Sequence, residues 1–406
     1  MIKANDENIL SQMFFVVFLS FLLSAEVITQ RKPETTRDLY EERDFLWSLN
    51  VNKGVIARFT PSGNYIFYND MFGPNGEHKG NLTFVMSKSG EVVSRFVPCS
   101  GEEFGMYTFR RNEAFNALEN LVAISCFAKG VEIWNFWQGK IIARFSSRGH
   151  EPSISPDGTR VVTTDVLSTD PPELWDVENQ QRIAFLPASS TLARRAPLAV
   201  SFSPDSNRVA IAYYVDVYIW DTRSGRLLIK LDDQEASSDR NWIDQSPESR
   251  IYDMSFTSDG KTIITGTGRS IKFWDAATGK LKFTTSEGHK NLLNDLAISP
   301  DEKILATATK DKVIKLWDMK TGKLIRTLLK PYESTQNIYF SPDGTCLVYR
   351  AWGSQREIIY NVETGKILWQ GKYGTVDHVI SPRWDMVLIK DFKQNVIRAY
   401  RMEFCR

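Results

Sequence analysis

Short apolar or alternating runs recur along most of the chain, and each is cut by a turn signature before it reaches helical length. One unit reads Leu305-Ala-Thr-Ala-Thr, then Val313-Ile-Lys-Leu-Trp, then Lys323-Leu-Ile-Arg-Thr-Leu. The turn before such runs has the form Ser-Pro-Asp-Gly, intact or degraded. It occurs as Thr60-Pro-Ser-Gly, Ser155-Pro-Asp-Gly, Ser203-Pro-Asp-Ser, Thr257-Ser-Asp-Gly, Ser299-Pro-Asp-Glu, Ser341-Pro-Asp-Gly and Ser381-Pro-Arg-Trp. Proline presets φ and glycine accepts positive φ, so a tight hairpin is expected at each. An apolar–Trp–Asp step or a degraded copy follows: Ile133-Trp-Asn, Leu174-Trp-Asp, Ile219-Trp-Asp, Phe273-Trp-Asp, Leu316-Trp-Asp and Ile359-Tyr-Asn. A second turn, such as Thr278-Gly-Lys or Thr321-Gly-Lys, then precedes a last short run.

Each unit therefore predicts four short strands. From Ser155 the turns are spaced 48, 54, 42, 42 and 40 residues apart, and the 95 residues from Thr60 to Ser155 leave room for one more unit, whose turn is expected near Thr108-Phe-Arg-Arg. A period of this length implies sheets stacked radially, because one four-stranded sheet cannot bury both faces alone. Eight units fill the chain from residue 55 onward, and the last ends after its third strand. Asp44-Phe-Leu-Trp-Ser-Leu, with Phe45, Trp47 and Leu49 on one face, is the expected fourth strand and would close the ring. Seven blades would result if the irregular second unit were an insertion. The predicted fold is all-β, a propeller of four-stranded blades.

These motifs make the chain similar to the WD-repeat (Trp-Asp repeat) β-propellers from about residue 44 to the end. The resemblance implies a structural hydrogen-bond tetrad, which the sixth unit matches with His289, Thr307, Asp311 and Trp317. The fifth unit keeps Trp274 but lacks the acidic residue, and the seventh has Tyr360 in place of Trp. In function, the resemblance implies a scaffold that binds proteins or peptides.

Composition narrows the picture further. The 406 residues carry 50 Lys and Arg against 49 Asp and Glu, so overall charge draws the chain toward neither nucleic acid nor an anionic membrane. The four cysteines (99, 126, 346 and 405) form no Cys-x-x-Cys pair and read as isolated thiols, neither a zinc cage nor a disulfide scaffold. Met13–Ala25 is an apolar run of signal-peptide length. Residues 1–29 thus read as a leader, an anchor or a misassigned start, residues 30–43 as a polar linker, and residues 44–406 as the propeller. Export or tethering follows from the first two readings of that segment, and a cytoplasmic or nuclear protein from the third.

No nucleophile, metal or cofactor motif stands at a workable spacing. His150-Glu151 lacks the second histidine of a zinc helix, and Gly260-Lys261-Thr262 falls on a strand-to-strand turn with Ser255 at the first glycine position. Phe109-Arg110-Arg111-Asn112 resembles the Phe-Arg-Arg-Gly of phosphoinositide-binding propellers but lacks its glycine. No catalytic residue, metal or cofactor is assigned.

The long connections cluster instead on one predicted face, at 69–81, 98–105, 166–172, 187–197 and 232–250. Arg194, Arg195, Trp242, Asp244 and Trp352 are the candidate partner-binding residues there, since Trp and Arg dominate binding hot spots. Residues 111–120 form a weaker candidate patch on the opposite face. The alternative function is an exported propeller that binds a small ligand or carbohydrate, or acts as an enzyme, at its central channel.

Overall fold

The computed structural model describes residues 45–402 apart from the stretches 52–55, 73–77, 102–113, 127–129, 148–150, 166–169, 188–196, 214–215, 232–249, 268–269, 286–288, 290, 311–312, 330–334, 352–356, 371–375 and 392–393. The chain divides into two units, residues 1–37 and 38–406, and all of the described structure lies in the second. It is an eight-bladed β-propeller. Six blades run through four consecutive antiparallel strands, here a to d from the inside outward. Blade 2 shows three described strands, Leu121–Cys126, Gly130–Asn135 and Lys140–Phe145. Blade 8 takes its outer strand from the other end of the chain, Phe45–Asn50 pairing with Val396–Arg401.

That pairing closes the ring. Trp47 is buried, its indole N–H donating to the carbonyl of Ser87 at 2.8 Å in the c–d turn of blade 1. Gly90 in the same turn has φ +71°, and a Cβ there would lie 2.7 Å from the Trp47 ring, so the turn must be glycine for the indole to seat. The expected alternation along this strand is broken by a register shift between Phe45 and Trp47. Phe45 is left 47% exposed, edge-on to Tyr400, and does not join Trp47 in the core.

The a–b turns explain why Ser-Pro-Asp-Gly recurs. The first hydroxyl donates to the aspartate two residues on, as in Ser155–Asp157, Ser203–Asp205, Thr257–Asp259, Ser299–Asp301 and Ser341–Asp343. The same hydroxyl accepts the amide five residues on, which starts strand b. In blade 2 this turn lies at Asn116–Asn120, not near Thr108. The Asn116 carboxamide replaces the hydroxyl and accepts the amides of Asn120 and Leu121. Residues 116–120 are therefore part of the regular repeat and not an inserted patch; the segment around Thr108 lies outside the described residues.

Where glycine is missing from the fourth turn position, the replacement keeps positive φ, at Glu119 (47°), Ser206 (60°), Glu302 (54°) and Trp384 (58°). Three of these side chains reach back to the previous blade's turn. Glu119 accepts from Thr60 (2.8 Å) and from Ser62, Ser206 Oγ accepts from the Asp157 amide at 3.1 Å, and Glu302 accepts from the Ser258 amide at 2.6 Å. The degraded copies thus exchange backbone ease for a blade-to-blade bond, while Trp384 is buried beside Cys346 and Trp369.

Two measurements test this construction. Trp47→Ala should lower unfolding free energy by about 3–5 kcal/mol in a denaturant titration, since it empties a core position and unfastens the ring. In the a–b turns, the Ser299 hydroxyl, then Lys303, hold the Asp301 carboxyl at about 2, below its ordinary 3.8. A carboxyl depressed in the folded state contributes stability above its ordinary value and loses it as pH falls toward the folded one. Stability should therefore decline as pH drops from about 4 to about 2, and Asp301→Asn should flatten that limb.

Candidate binding face

Strands a to d alternate in direction, so the b–c turns and the d-to-a crossings between blades open at one end of the ring, and the a–b and c–d turns at the other. The first face has to fasten every d-to-a crossing against the next blade, and the interior is apolar there. The fastening groups are consequently buried polar atoms in short chains.

Blade 6 has the fullest set. His289 lies in the crossing from blade 5, with Nε2 2.7 Å from Thr307 Oγ1 on strand b. Trp317 on strand c donates its indole N–H to the same Thr307 oxygen at 2.7 Å, and Thr309 Oγ1 lies 3.2 Å from His289 Nδ1. Asp311, the fourth residue of the expected tetrad, lies outside the described residues. Blade 3 builds a similar chain without histidine: Ser147 Oγ to Thr163 Oγ1 at 2.7 Å, and Trp175 Nε1 to Thr163 at 3.2 Å. In blade 5, Trp274 donates to Thr265 at 2.8 Å. Blades 4 and 7 use tyrosines, Tyr213 donating to the Leu186 carbonyl and Tyr360 to the Leu329 carbonyl, each at the start of a crossing. Burial drives both phenol pKa values far above the ordinary range, so they remain donors.

Blade 2 differs most. Its strand-b position equivalent to Thr307 is Ile124, which has no hydroxyl. Glu132, the cross-strand neighbour of Ile124, takes over: its Oε2 accepts the Trp134 indole N–H at 2.8 Å and the Cys99 amide at 2.9 Å, and Arg144 Nε donates to its Oε1 at 3.2 Å. Cys99 is disulfide-bonded to Cys126 with Cα atoms 5.2 Å apart, and Cys346 is disulfide-bonded as well. The reading of the cysteines as isolated thiols is thus corrected. Spacing could not reveal a bridge between residues 27 apart that only the blade stacking brings together. Cys99, Cys126 and Glu132 are also the one group among the described residues with metal-ligand donors in reach of each other. Both sulfurs are spent in the bridge, however, and both carboxylate oxygens already accept hydrogen bonds.

All five candidate partner-binding residues, Arg194, Arg195, Trp242, Asp244 and Trp352, lie outside the described residues. The flanking strands fix where their segments attach. Residues 186–198 join blade 3 to blade 4, residues 231–252 join blade 4 to blade 5, and residues 352–356 join strands b and c of blade 7. All three attach on the same face. Their bases are firm. Tyr213 holds Leu186, and Leu231 N–H bonds the Val217 carbonyl at 2.9 Å beside a Lys230–Asp216 ion pair of 3.0 Å. Below residues 352–356, buried Arg350 pairs with buried Glu357, and Tyr339 donates to Glu357 at 3.4 Å. Burial first, then the Glu357 carboxylate, raises the Tyr339 pKa well above its ordinary value. The expected long connection at 69–81 is shorter than its sequence suggests, because strands Tyr65–Phe72 and His78–Met86 extend into it and pair as far as Phe72 and His78.

A closed ring of four-stranded blades with Trp–hydroxyl fastenings defines a repeat propeller, a fold typical of protein-interaction scaffolds. The family model for the WD domain, G-beta repeat, matches residues 242–275 and 279–318, which fall on blades 5 and 6, so this part of the propeller carries WD repeats. It is similar to eukaryotic translation initiation factor 3 subunit I of Culex quinquefasciatus, 29% identical over 149 residues, which are 35% of this chain and 43% of that one. An uncharacterised WD-repeat-containing protein of Synechocystis sp. is 26% identical over 157 residues, covering 38% and 41% of the two chains. The chain therefore spans less than half the length of these curated relatives. Among solved structures, the computationally designed Ika8 protein superposes with a TM-score of 0.63 at 17% identity, over 88% of this chain and all of that one, a likeness of fold.

The Thr307 hydroxyl serves two buried partners at once. Thr307→Val keeps the shape and leaves both His289 and Trp317 without it, and should cost about 2–4 kcal/mol in equilibrium unfolding. Thr307→Ser should restore most of that loss.

Proposed function

We propose that this propeller is a non-catalytic platform that holds a protein or peptide on the face where the b–c turns and blade crossings open. The observation that carries the reading is the attachment of three long or Trp-bearing connections, 186–198, 231–252 and 352–356, to strand ends on that single face. Rigid blades supporting variable connections are a common way to organise recognition. Arg194, Arg195, Trp242, Asp244 and Trp352 supply the guanidinium and indole groups that anchor interfaces, with a carboxylate among them. The partial similarity to a subunit of a multi-subunit translation factor supports an assembly role and leaves the partner's identity open.

The test is affinity capture of the full chain and of a variant with all five residues changed to alanine, read by quantitative mass spectrometry. Captured partners should fall by about tenfold or more with thermal unfolding unchanged, the size expected when hot-spot side chains are truncated. A control pair lies on the opposite face, Leu118 (70% exposed) and Trp137 (46% exposed) in the turns of blade 2. Partners that survive the five-residue variant but vanish on changing Leu118 and Trp137 would overturn the assignment of the face.

A further inference from the structure

The blades can be compared with one another position by position, and blade 2 is the informative exception. In blade 6, Thr307 faces Lys315 two residues before Trp317; in blade 2, Ile124 faces Glu132 two residues before Trp134. On this register Thr309, which touches His289 in blade 6, corresponds to Cys126. Its partner Cys99 lies in the crossing from blade 1, as His289 lies in the crossing from blade 5. The bridge therefore stands where blade 6 has its histidine–threonine contact.

The rest of the site is built around that substitution. Both cysteines are 1% exposed, in one apolar cluster with an aromatic stack in which Phe96 lies 4.2 Å from Trp134 and Phe84 lies 4.3 Å from Phe136. Cys99 has φ +57°, a left-handed conformation unfavourable for a residue with a Cβ, and is held there by the Glu132 bond to its amide and by the bridge. Cys346, also fully buried and far along the chain in blade 7, is disulfide-bonded too. No free cysteine is found among the described residues.

We infer that the Cys99–Cys126 disulfide replaces, in blade 2, the histidine–hydroxyl fastening of blade 6, and that the chain completes its fold in an oxidising compartment. Disulfides of this kind form and persist outside the reducing cytosol. The step is thiol–disulfide exchange with a protein disulfide donor. One chain thiolate attacks the donor's disulfide and forms a mixed disulfide. The second chain thiolate then displaces the donor's remaining sulfur. The two chain thiols lose two protons and two electrons, and the donor leaves with two thiols. The apolar run Met13–Ala25 fits a route out of the cytosol, and the inference does not depend on what the binding face holds.

The experiment uses the full chain isolated from its own cells without reductant, denatured in an excess of a thiol-blocking maleimide and mapped by mass spectrometry. Cys99 and Cys126 should appear in one linked peptide, with less than about a tenth of either blocked, and Cys346 should be linked as well. Stoichiometric blocking of Cys99 and Cys126 in chain that was folded before denaturation would overturn the inference. So would stoichiometric bound zinc by elemental analysis together with thiols that become blockable only after chelation, since that would make Cys99, Cys126 and Glu132 a metal site. A second measurement avoids variants that fail to fold: the melting temperature of the purified chain before and after complete reduction. A fall of several degrees is expected, and an unchanged value would show that the bridge does not fasten the blade.

Discussion

The structure depends on how each blade fastens the strand crossing that arrives from its neighbour. A crossing runs from the outer edge of one sheet to the inner edge of the next, over an apolar interior, and a polar backbone laid there must be paired. The chain solves this at more than one strand position and with several chemistries. Blade 6 uses His289 with Thr307, and blade 3 uses Ser147 with Thr163. Blades 4 and 7 use a tyrosine hydroxyl on a backbone carbonyl, and blade 2 a carboxylate with a disulfide. The tryptophan of strand c completes the chain in blades 2, 3, 5 and 6. Sequence identity between blades can decay because more than one side chain, at more than one position, can meet the requirement.

The opposite face follows a second rule of the same kind. There a hydroxyl, an aspartate and a left-handed fourth residue make each a–b turn, and the fourth residue is free to vary where its side chain can tie to the preceding turn. Glu119, Ser206 and Glu302 do so, which couples neighbouring blades at both ends of the ring. With Trp47 joining the two ends of the propeller, the scaffold gains rigidity around its circumference, and the connections on the face of the b–c turns and blade crossings can vary without loosening it.

Much of the architecture was legible because it is carried by local, repeated chemistry. The turn tetrapeptides, the Trp-Asp steps and the final strand borrowed from Phe45–Asn50 all have signatures within a few residues. The misplaced second turn shows the limit: Asn116 does the work of serine and Glu119 that of glycine, and neither looks like the motif it replaces. The bulge beside Trp47 was likewise invisible, since alternation in sequence assumes an unbroken register. At the candidate binding face, position along the chain told which segments attach there, but the buried supports did not show. Arg350–Glu357 and Glu132–Arg144 pair strand residues whose partners are fixed only by register. The disulfide was hidden because only the stacking of blades 1 and 2 brings its two residues together.

Hydrogen exchange resolved by peptide on the intact, oxidised chain reads directly how firmly each crossing is fastened. If all crossings are fastened equivalently, the buried amides beside them, including Cys99 in blade 2 and Leu231 at the end of blade 4, should exchange only with global unfolding, and so should the amides of strand b in blade 6. Exchange of the blade 2 crossing through a local opening, orders of magnitude faster than blade 6, would contradict the account, because a carboxylate and a bridge would then not be doing the work of the histidine chain.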